Sequence, residues 1–430
     1  DTIPKMENLV ALCDVNDSKI AETFQRWEKN IERFADSPHN WEQKAAEEYR
    51  RLLDARPKTF RDFRKMLDAM GDRVDAVVIA IPDHTHAVAS AAAIKAGKHV
   101  FCEKPLTRTV DESRTLRELA RKHKVATSMG NQGTATGPFR RALELVRDGT
   151  LGQIKEVHIW NSGGGADRQQ PPEGDEPVPE HLDWDLWLGP AAMRPFHPRW
   201  MQRNLWREFG TCQLGNWASH TANLAFMALK VHDLWLADPP AGKPRRLRVG
   251  AQSSGINRLS FPRWEIIRWE IPARAELPPI TFTWYNGPAP GARQIVEPLL
   301  GGVDDKRQKS LTEFAGALIV GTQGTIHTTG HNATFRLLPE DRFQGVDTGR
   351  PVSVDSSHGH ERDWLLACRG GEPAWANFDY ASALNEFLML GNVATQFEEK
   401  LDFDPLAMKI ANNPEADALL RSDYREGWSL

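Results

Sequence analysis

Apolar positions in the first third of the chain fall in short unbroken runs separated by polar stretches of helical period. The run 75–81, ending Val77-Val78-Ile79-Ala80-Ile81, reads as a strand covered on both faces, and Pro82 stops it. The alanine-rich stretch 85–96 predicts a helix closed by Gly97, after which His99-Val100-Phe101-Cys102 resumes the sheet through a right-handed crossover. The same alternation predicts an earlier strand over 8–14 and a charged amphipathic helix over 110–123. A strand over 125–129 follows, ending at the turn Gly130-Asn131-Gln132-Gly133, then a helix over 137–148 and a strand over 154–160.

Beyond residue 154 the composition shifts toward Trp, Pro and Gly, and the pattern changes. Strand-like runs at 246–253, 265–271, 280–285 and 317–328 follow one another with few helices between them, and helical periods return at 363–368 and 380–396. Sequential strands of this kind predict a large, mostly antiparallel or mixed sheet covered by helices. The expected fold class is therefore α/β, with a Rossmann-like parallel-sheet domain over 1–133 and a second α+β domain over 134–430 ending in a helical segment. Two stretches stand outside this scheme. Residues 18–73 read as charged helices inserted at the surface, being too long for one crossover, and 163–180, rich in Gly, Pro, Asp and Gln, reads as a mobile loop placed to act as a lid.

Composition narrows the function classes. A chain of 430 residues, 26% charged with a formal net charge of -4, is ordinary globular material without an electrostatic footprint for nucleic acid, the basic run 243–248 being read as a solvated turn. The four cysteines have no zinc spacing, so neither metal nor disulfide is expected. His84 and His86 have no acidic or thiol partner spaced to complete a metal site. No run is apolar enough to cross a bilayer, so no membrane partner is expected, and the compartment, cytoplasmic or periplasmic, stays open.

Candidate chemistry lies at strand ends. Glu103-Lys104-Pro105 places a lysine at the carboxyl edge of a parallel sheet, where nucleotide folds hold cofactor and substrate. Asp14 closes the strand 8–14; an acid there accepts from the adenosine ribose hydroxyls, and with no cation following directly it favours NAD over NADP, although capping of the next helix explains it equally well. The Gly-rich pyrophosphate turn belongs roughly 20 residues before such an acid, yet only thirteen residues precede Asp14 and none is glycine. A first strand, phosphate loop and helix are expected to be missing. Asn216, His220 and Asn223 sit at helical spacings of four and three after Gly215, a glycine suited to a helix start, and so share one face.

These motifs, with Pro82-Asp83-His84-Thr85-His86, the segment Asp183-Trp184-Asp185-Leu186-Trp187-Leu188-Gly189-Pro190 and the ending Tyr424-Arg425-Glu426-Gly427-Trp428, resemble the glucose-fructose oxidoreductase and inositol dehydrogenase family, Gfo/Idh/MocA. The resemblance implies an NAD(P)-dependent oxidoreductase of sugars, polyols or glycosides, with Lys104 stabilising an alkoxide and His220 as general base. The family's aspartate four residues before that histidine falls on Asn216, a departure that leaves Asn216 to orient substrate. Cofactor contacts implied by the resemblance are Asp14, Pro82, His86, Glu103, Lys104 and Asn131. Arg194 and His197, beside Asn216 and Asn223, are the substrate candidates. Trp184, Trp187, Trp200 and Trp206 form either an aromatic sugar wall or, for the first two, packing at the domain junction. Two alternatives are an NAD-dependent glycoside hydrolase working by transient oxidation and elimination, and a non-catalytic sugar-binding or scaffold protein. A homodimer or homotetramer is expected through the open face of the second sheet.

Overall fold

The computed structural model describes residues 2–236, 246–300 and 314–430. Part of the basic run, residues 243–245, lies outside the described residues.

The N-terminal half builds two small parallel sheets. In the first, β1 (Ala11–Cys13) pairs with β2 (Lys58–Phe60); in the second, β3 (Ala76–Ile79), β4 (His99–Cys102) and β5 (Thr127–Met129) lie in that order. The crossovers are the expected ones. Helix Asp83–Lys95 links β3 to β4, with Gly97 at φ 75°, and helix Val110–His123 links β4 to β5, opened by a capping box in which Thr109 and Glu112 satisfy each other's amides. The stretch 18–73 is more than a surface insertion. It holds the helices Asp17–Phe34 and Asn40–Asp54, whose Trp27, Tyr49 and Leu52 make a separate small core, but also β2 and the helix Phe63–Met70. The three-residue Lys58-Thr59-Phe60 strand is too short and too exposed to show a period in the sequence.

Between the two sheets lies a cleft of about 1060 Å³, lined on one side by residues 8–16 and on the other by residues 73–82. In this cleft Val78, in the middle of the edge strand β3, is 45% exposed.

The second half is one nine-stranded sheet in the order β12-β11-β10-β6-β9-β8-β7-β13-β14. Its strands are β6 (Ile154–Asn161), β7 (Leu247–Ser253), β8 (Glu265–Ile271), β9 (Ile280–Asn286), β10 (Ala315–Gly321), β11 (Thr325–Thr329), β12 (Phe335–Leu338), β13 (Leu401–Asp404) and β14 (Lys409–Ile410). Only β6 and β9 run parallel; every other pair is antiparallel, as a mixed sheet was expected to be. Alternation along β6 and β10 sends Val157, Ile159, Ala317 and Ile319 to the main core and Trp160, Leu318 and Val320 to a smaller one, against which Ala292 and Leu299 of helix Ala292–Leu299 pack.

The helix Phe378–Ala394 joins the two halves. Its ring at Phe387 stacks on Trp269 of β8 at 4.6 Å, and Gly391 lets it close on the sheet, since a Cβ there would stand 2.6 Å from Trp269. From the other side Arg114 of helix Val110–His123 forks onto its buried Glu386 at 2.9 and 2.8 Å, and Trp235 donates to the same carboxylate. Residues 163–180 have no regular structure, but the start of the loop is fastened. Gly164 donates to Asn286, Gly165 to the Pro262 carbonyl and Arg168 to Ser260.

Candidate functional site

Lys104 is positioned by the end of β4. The Glu103 amide continues the parallel ladder to the Ile79 carbonyl at 2.8 Å, and the Gly130 amide reaches Cys102 at 2.8 Å. A side chain on Gly130 would displace Glu103, since a Cβ would meet its carboxylate at 2.4 Å and its Cα at 3.1 Å. Thus the Gly130-Asn131-Gln132-Gly133 turn is a bed for the Glu103-Lys104 pair as well as a chain reversal. Lys104 then reaches into the second half, where its Nζ donates to the Asn216 carbonyl at 3.1 Å and to the Asn216 Oδ1.

Asn216 and His220 lie on a helical segment that passes through a π-helical turn, Leu214–Ala218, before the α-turns Ser219–Thr221 and Asn223–Ala228. Gly215 does not start this helix, as expected from the sequence; it lies inside the π-turn, where a Cβ would stand 2.2 Å from the Thr211 hydroxyl. The segment is tied back to the nucleotide half by Asn131, whose Nδ2 donates to the Ser219 carbonyl at 2.8 Å. A second tie is Asp83, which accepts from Arg203 and, at 2.8 Å, from Thr211.

Lys104, Asn216 and His220 therefore line one cavity of about 280 Å³, with Glu103, Gly130 and Gln132 from the first half and Trp217 and His331 from the second. Phe101, His360 and Glu361 complete it. His331, on the β11–β12 hairpin, was not singled out in the sequence because 317–328 was read as one strand run. Its ring lies 4.7 Å from that of His220, and Gly133 seats the hairpin, since a Cβ there would meet the His331 carbonyl at 2.4 Å.

The cavity holds its bases neutral. Burial, then the Lys104 ammonium and the neighbouring His331 and His360, push His220 down to about 2. His220 Nδ1 has no hydrogen-bond partner, so no carboxylate orients the ring. Burial likewise lowers His331, with Lys104 adding to it, and burial lowers Lys104 itself against the pull of Glu103 and Asp83.

Several expected site residues lie elsewhere. Asn223 is buried against Tyr380, whose hydroxyl donates to its Oδ1 at 2.6 Å, and it lies past a break in the helix at Ala222 that separates it from His220. Arg194 pairs with Glu208 over the rings of Trp200 and Phe209, and His197 accepts from the Arg199 amide at its 3-10 turn; neither lines the cavity. The Trp184, Trp187, Trp200 and Trp206 rings are buried together in a cluster with Phe196 and Phe209, so all four are packing, and the cavity's flat rings are Trp217 and Phe101. His86 is a strut. Its two ring nitrogens lie 2.8 Å from the Pro105 and Ile81 carbonyls. Burial pulls its pKa down, but Cys102, Asp83 and the Pro105 carbonyl outweigh this and raise it to about 9. Asp14 accepts from Asn16 at 2.9 Å, and it is Asn16 that caps the next helix. Asp14 and Pro82 line the cleft between the small sheets, not the Lys104 cavity. Among the described residues no group of three or more His, Cys, Asp or Glu is arranged to hold a metal, and no helix is long and apolar enough to cross a membrane.

A dinucleotide fits this surface at its ends only. Asp14 stands where a ribose acid is needed, and Glu103 and Lys104 stand at the carboxyl edge of β4. Between them, where a Gly-rich turn and a helix end hold the phosphates, the cleft separates β1 from β3.

The family model of the Gfo/Idh/MocA proteins, described as an oxidoreductase family with an NAD-binding Rossmann fold, matches residues 5–131. An uncharacterised oxidoreductase of Schizosaccharomyces pombe is 31% identical over 122 residues, 28% of this chain and 33% of that protein. Inositol 2-dehydrogenase 1 of Saccharopolyspora erythraea is 46% identical over 76 residues, 17% of this chain and 21% of its own length. The first relatives are thus matched over a third of their length or less. The WlbA dehydrogenase from Bordetella pertussis, solved with NADH and UDP-GlcNAcA, superposes with a TM-score of 0.52 over 92% of this chain and 90% of that one, at 14% identity, a likeness of fold.

Proposed function

Because residues 5–131 match the family model of the Gfo/Idh/MocA oxidoreductases, we propose that the chain works on a secondary alcohol of a sugar, polyol or glycoside, with NAD as the redox partner. The observation that carries this reading is the convergence of Lys104 and His220, far apart in sequence, on one cavity. Asp14, Glu103 and Lys104 would hold the dinucleotide, whose nicotinamide, when bound, supplies the hydride acceptor. The chain's own part is proton and charge management. The substrate hydroxyl gives its proton to His220 as the carbon gives up hydride, and the Lys104 ammonium steadies the oxygen while negative charge develops. Asn216 aims that ammonium without neutralising it, which a carboxylate would do. The same neutrality leaves His220 a weak base, so turnover rests on the cation.

The test is NADH formation, by absorbance, over a panel of sugars, inositols and glycosides, with Lys104→Ala beside the parent. A loss of about 10²- to 10⁴-fold is expected; unchanged turnover refutes the assignment. Asn216→Asp should raise the His220 pKa and move the acid limb of the rate profile to higher pH. The cleft favours a second reading for this chain as it stands, that it binds sugars without turning them over. We propose that this chain, whose cleft offers the phosphates no Gly-rich turn, binds NAD weakly. Calorimetry giving micromolar NAD affinity would contradict that.

A further inference from the structure

The hairpin between β11 and β12 holds one side chain firmly against His220. The helical segment that carries His220 breaks at Ala222, which offers no side-chain cap to the turns that follow. Asn332 supplies that cap from the hairpin: its Oδ1 accepts from the Leu224 amide at 3.1 Å, and its Nδ2 donates to the Thr328 hydroxyl at 2.8 Å. Asn332 is 1% exposed and sits at φ 53°, a left-handed conformation that asparagine tolerates better than most residues. Gly330 lies on the other side of the tip, where a Cβ would stand 3.1 Å from the Trp217 ring. Between these two fixed residues the chain presents His331.

The His331 ring lies 5.1 Å from that of Trp217 and 4.7 Å from that of His220. The two imidazoles differ in access. His220 is 3% exposed and its Nδ1 is sealed without a partner, so only Nε2 can meet a substrate. His331 is partly exposed; among the described residues its ring nitrogens have no hydrogen-bond partner, and neither is sealed. The charged and titratable groups around the pair are Lys104, Glu103, His360 and Glu361, all on the wall of the same cavity. A nearby ammonium and a sealed, unpartnered Nδ1 make the His220 ring a poor place to leave a proton. Burial and Lys104 lower His331 too, but its more open position penalises an imidazolium less than the pocket that holds His220 down to about 2. A proton accepted at His220 therefore runs downhill to His331.

We propose that His331 is the exit for the proton that His220 takes from the substrate hydroxyl, receiving it from the His220 ring and releasing it to solvent. The inference rests on the dehydrogenase reading above and deepens it. As the carbon gives up its hydride, the hydroxyl O–H bond breaks and an Nε2–H bond forms on His220. That bond then breaks toward a His331 nitrogen across a single water, and His331 loses a proton to the solvent, so both rings end neutral. Ring centres 4.7 Å apart are close enough for transfer through such a water. The clip at Asn332 then has a reason: it keeps the carrier beside His220, where a looser hairpin would let it swing away.

The first measurement needs no cofactor. With histidine labelled at Cε1, an NMR pH titration of the full chain should show His331 protonating at higher pH than His220, the resonances being assigned from His331→Phe; the reverse order overturns the inference. The second is turnover in excess NAD, on a sugar or inositol that the parent oxidises. His331→Ala should lose about 10²-fold in kcat with the sugar KM little changed, and added imidazole should restore most of the loss in proportion to its unprotonated form. His331→Phe, which fills the space, should show the same loss without rescue. The solvent deuterium effect on kcat should be larger in His331→Ala than in the parent, because proton removal becomes the slow step. Circular dichroism of both variants separates a folding defect from a lost carrier, and the titration is read on the parent whatever they do. An unchanged kcat, or a loss in folded His331→Ala that imidazole does not restore, overturns the inference and leaves the dehydrogenase reading standing. A parent that oxidises no sugar, inositol or glycoside in excess NAD overturns both.

Discussion

The nine-stranded sheet and the pair of small parallel sheets are built from similar apolar strands but differ in closure. In the large sheet each interior strand has a neighbour on both sides, and one face is sealed by a helix, Phe378–Ala394, buried along nearly its whole length. In the nucleotide half the pairing stops between β1 and β3, and Val78 faces the resulting cleft. Backbone groups along such an edge find water instead of a partner. The contrast teaches where the molecule is rigid. The second half and the β3-β4-β5 sheet docked on it form the scaffold of the Lys104–His220 cavity, while β1 and β2 hang on three-residue ladders.

The comparison can be broken most directly at the joint. Arg114→Ala takes the forked guanidinium from the buried Glu386 carboxylate, and about 3–5 kcal/mol of stability should be lost, read from urea unfolding. Trp269→Ala empties the contact beneath Phe387 and should cost a similar 3–5 kcal/mol; a cost under about 1 kcal/mol would mean the large sheet is not the stable element. A third effect is pH-dependent. His84, buried against Trp187 and Phe209 with its pKa lowered to about 4 mainly by burial, binds a proton in the unfolded chain below the ordinary 6.5. Its contribution is therefore complete above pH 6.5 and is lost as pH falls toward 4, roughly 3 kcal/mol in all. Thermal melts at pH 7 and 5 should differ, and His84→Phe should narrow the difference. The smallest effect belongs to the cleft. Val78→Ser, on the exposed middle of the edge strand β3, should change stability by less than about 0.5 kcal/mol. A loss above 2 kcal/mol would mean the cleft is closed in solution.

Most of the architecture was legible in the chain because its signals are local. The strands β3, β4, β6, β8 and β9 and the helices Val110–His123 and Phe378–Ala394 are uniform runs bounded by Pro, Gly or caps, and their bounds follow within a few residues. Strand β2 was hidden because three half-exposed residues carry no period. In the site, Lys104 and His220 were readable from motifs that each sit at an element's end, and the structure brings them together. Asn223 was misplaced because the helix breaks at Ala222, between it and His220, and nothing in the local pattern announces that. Arg194, His197 and the tryptophans were misplaced because an Arg- and Trp-rich stretch has the same composition whether it stacks on itself or faces a ligand.

By itself, then, the sequence determined the alternation of strands and helices, the mixed second sheet, and the identities of the cation and the imidazole, since these depend on neighbours a few positions apart. Only the tertiary structure decided which side chains share the cavity. His331 and His360 come from a hairpin turn and a helix start more than 100 residues downstream of His220 and more than 200 downstream of Lys104. The place of His331 is set by the close approach of Gly133 to its carbonyl, and that of His360 by the Phe101 ring contact. Such contacts depend on excluded volume between distant segments, which no local pattern encodes.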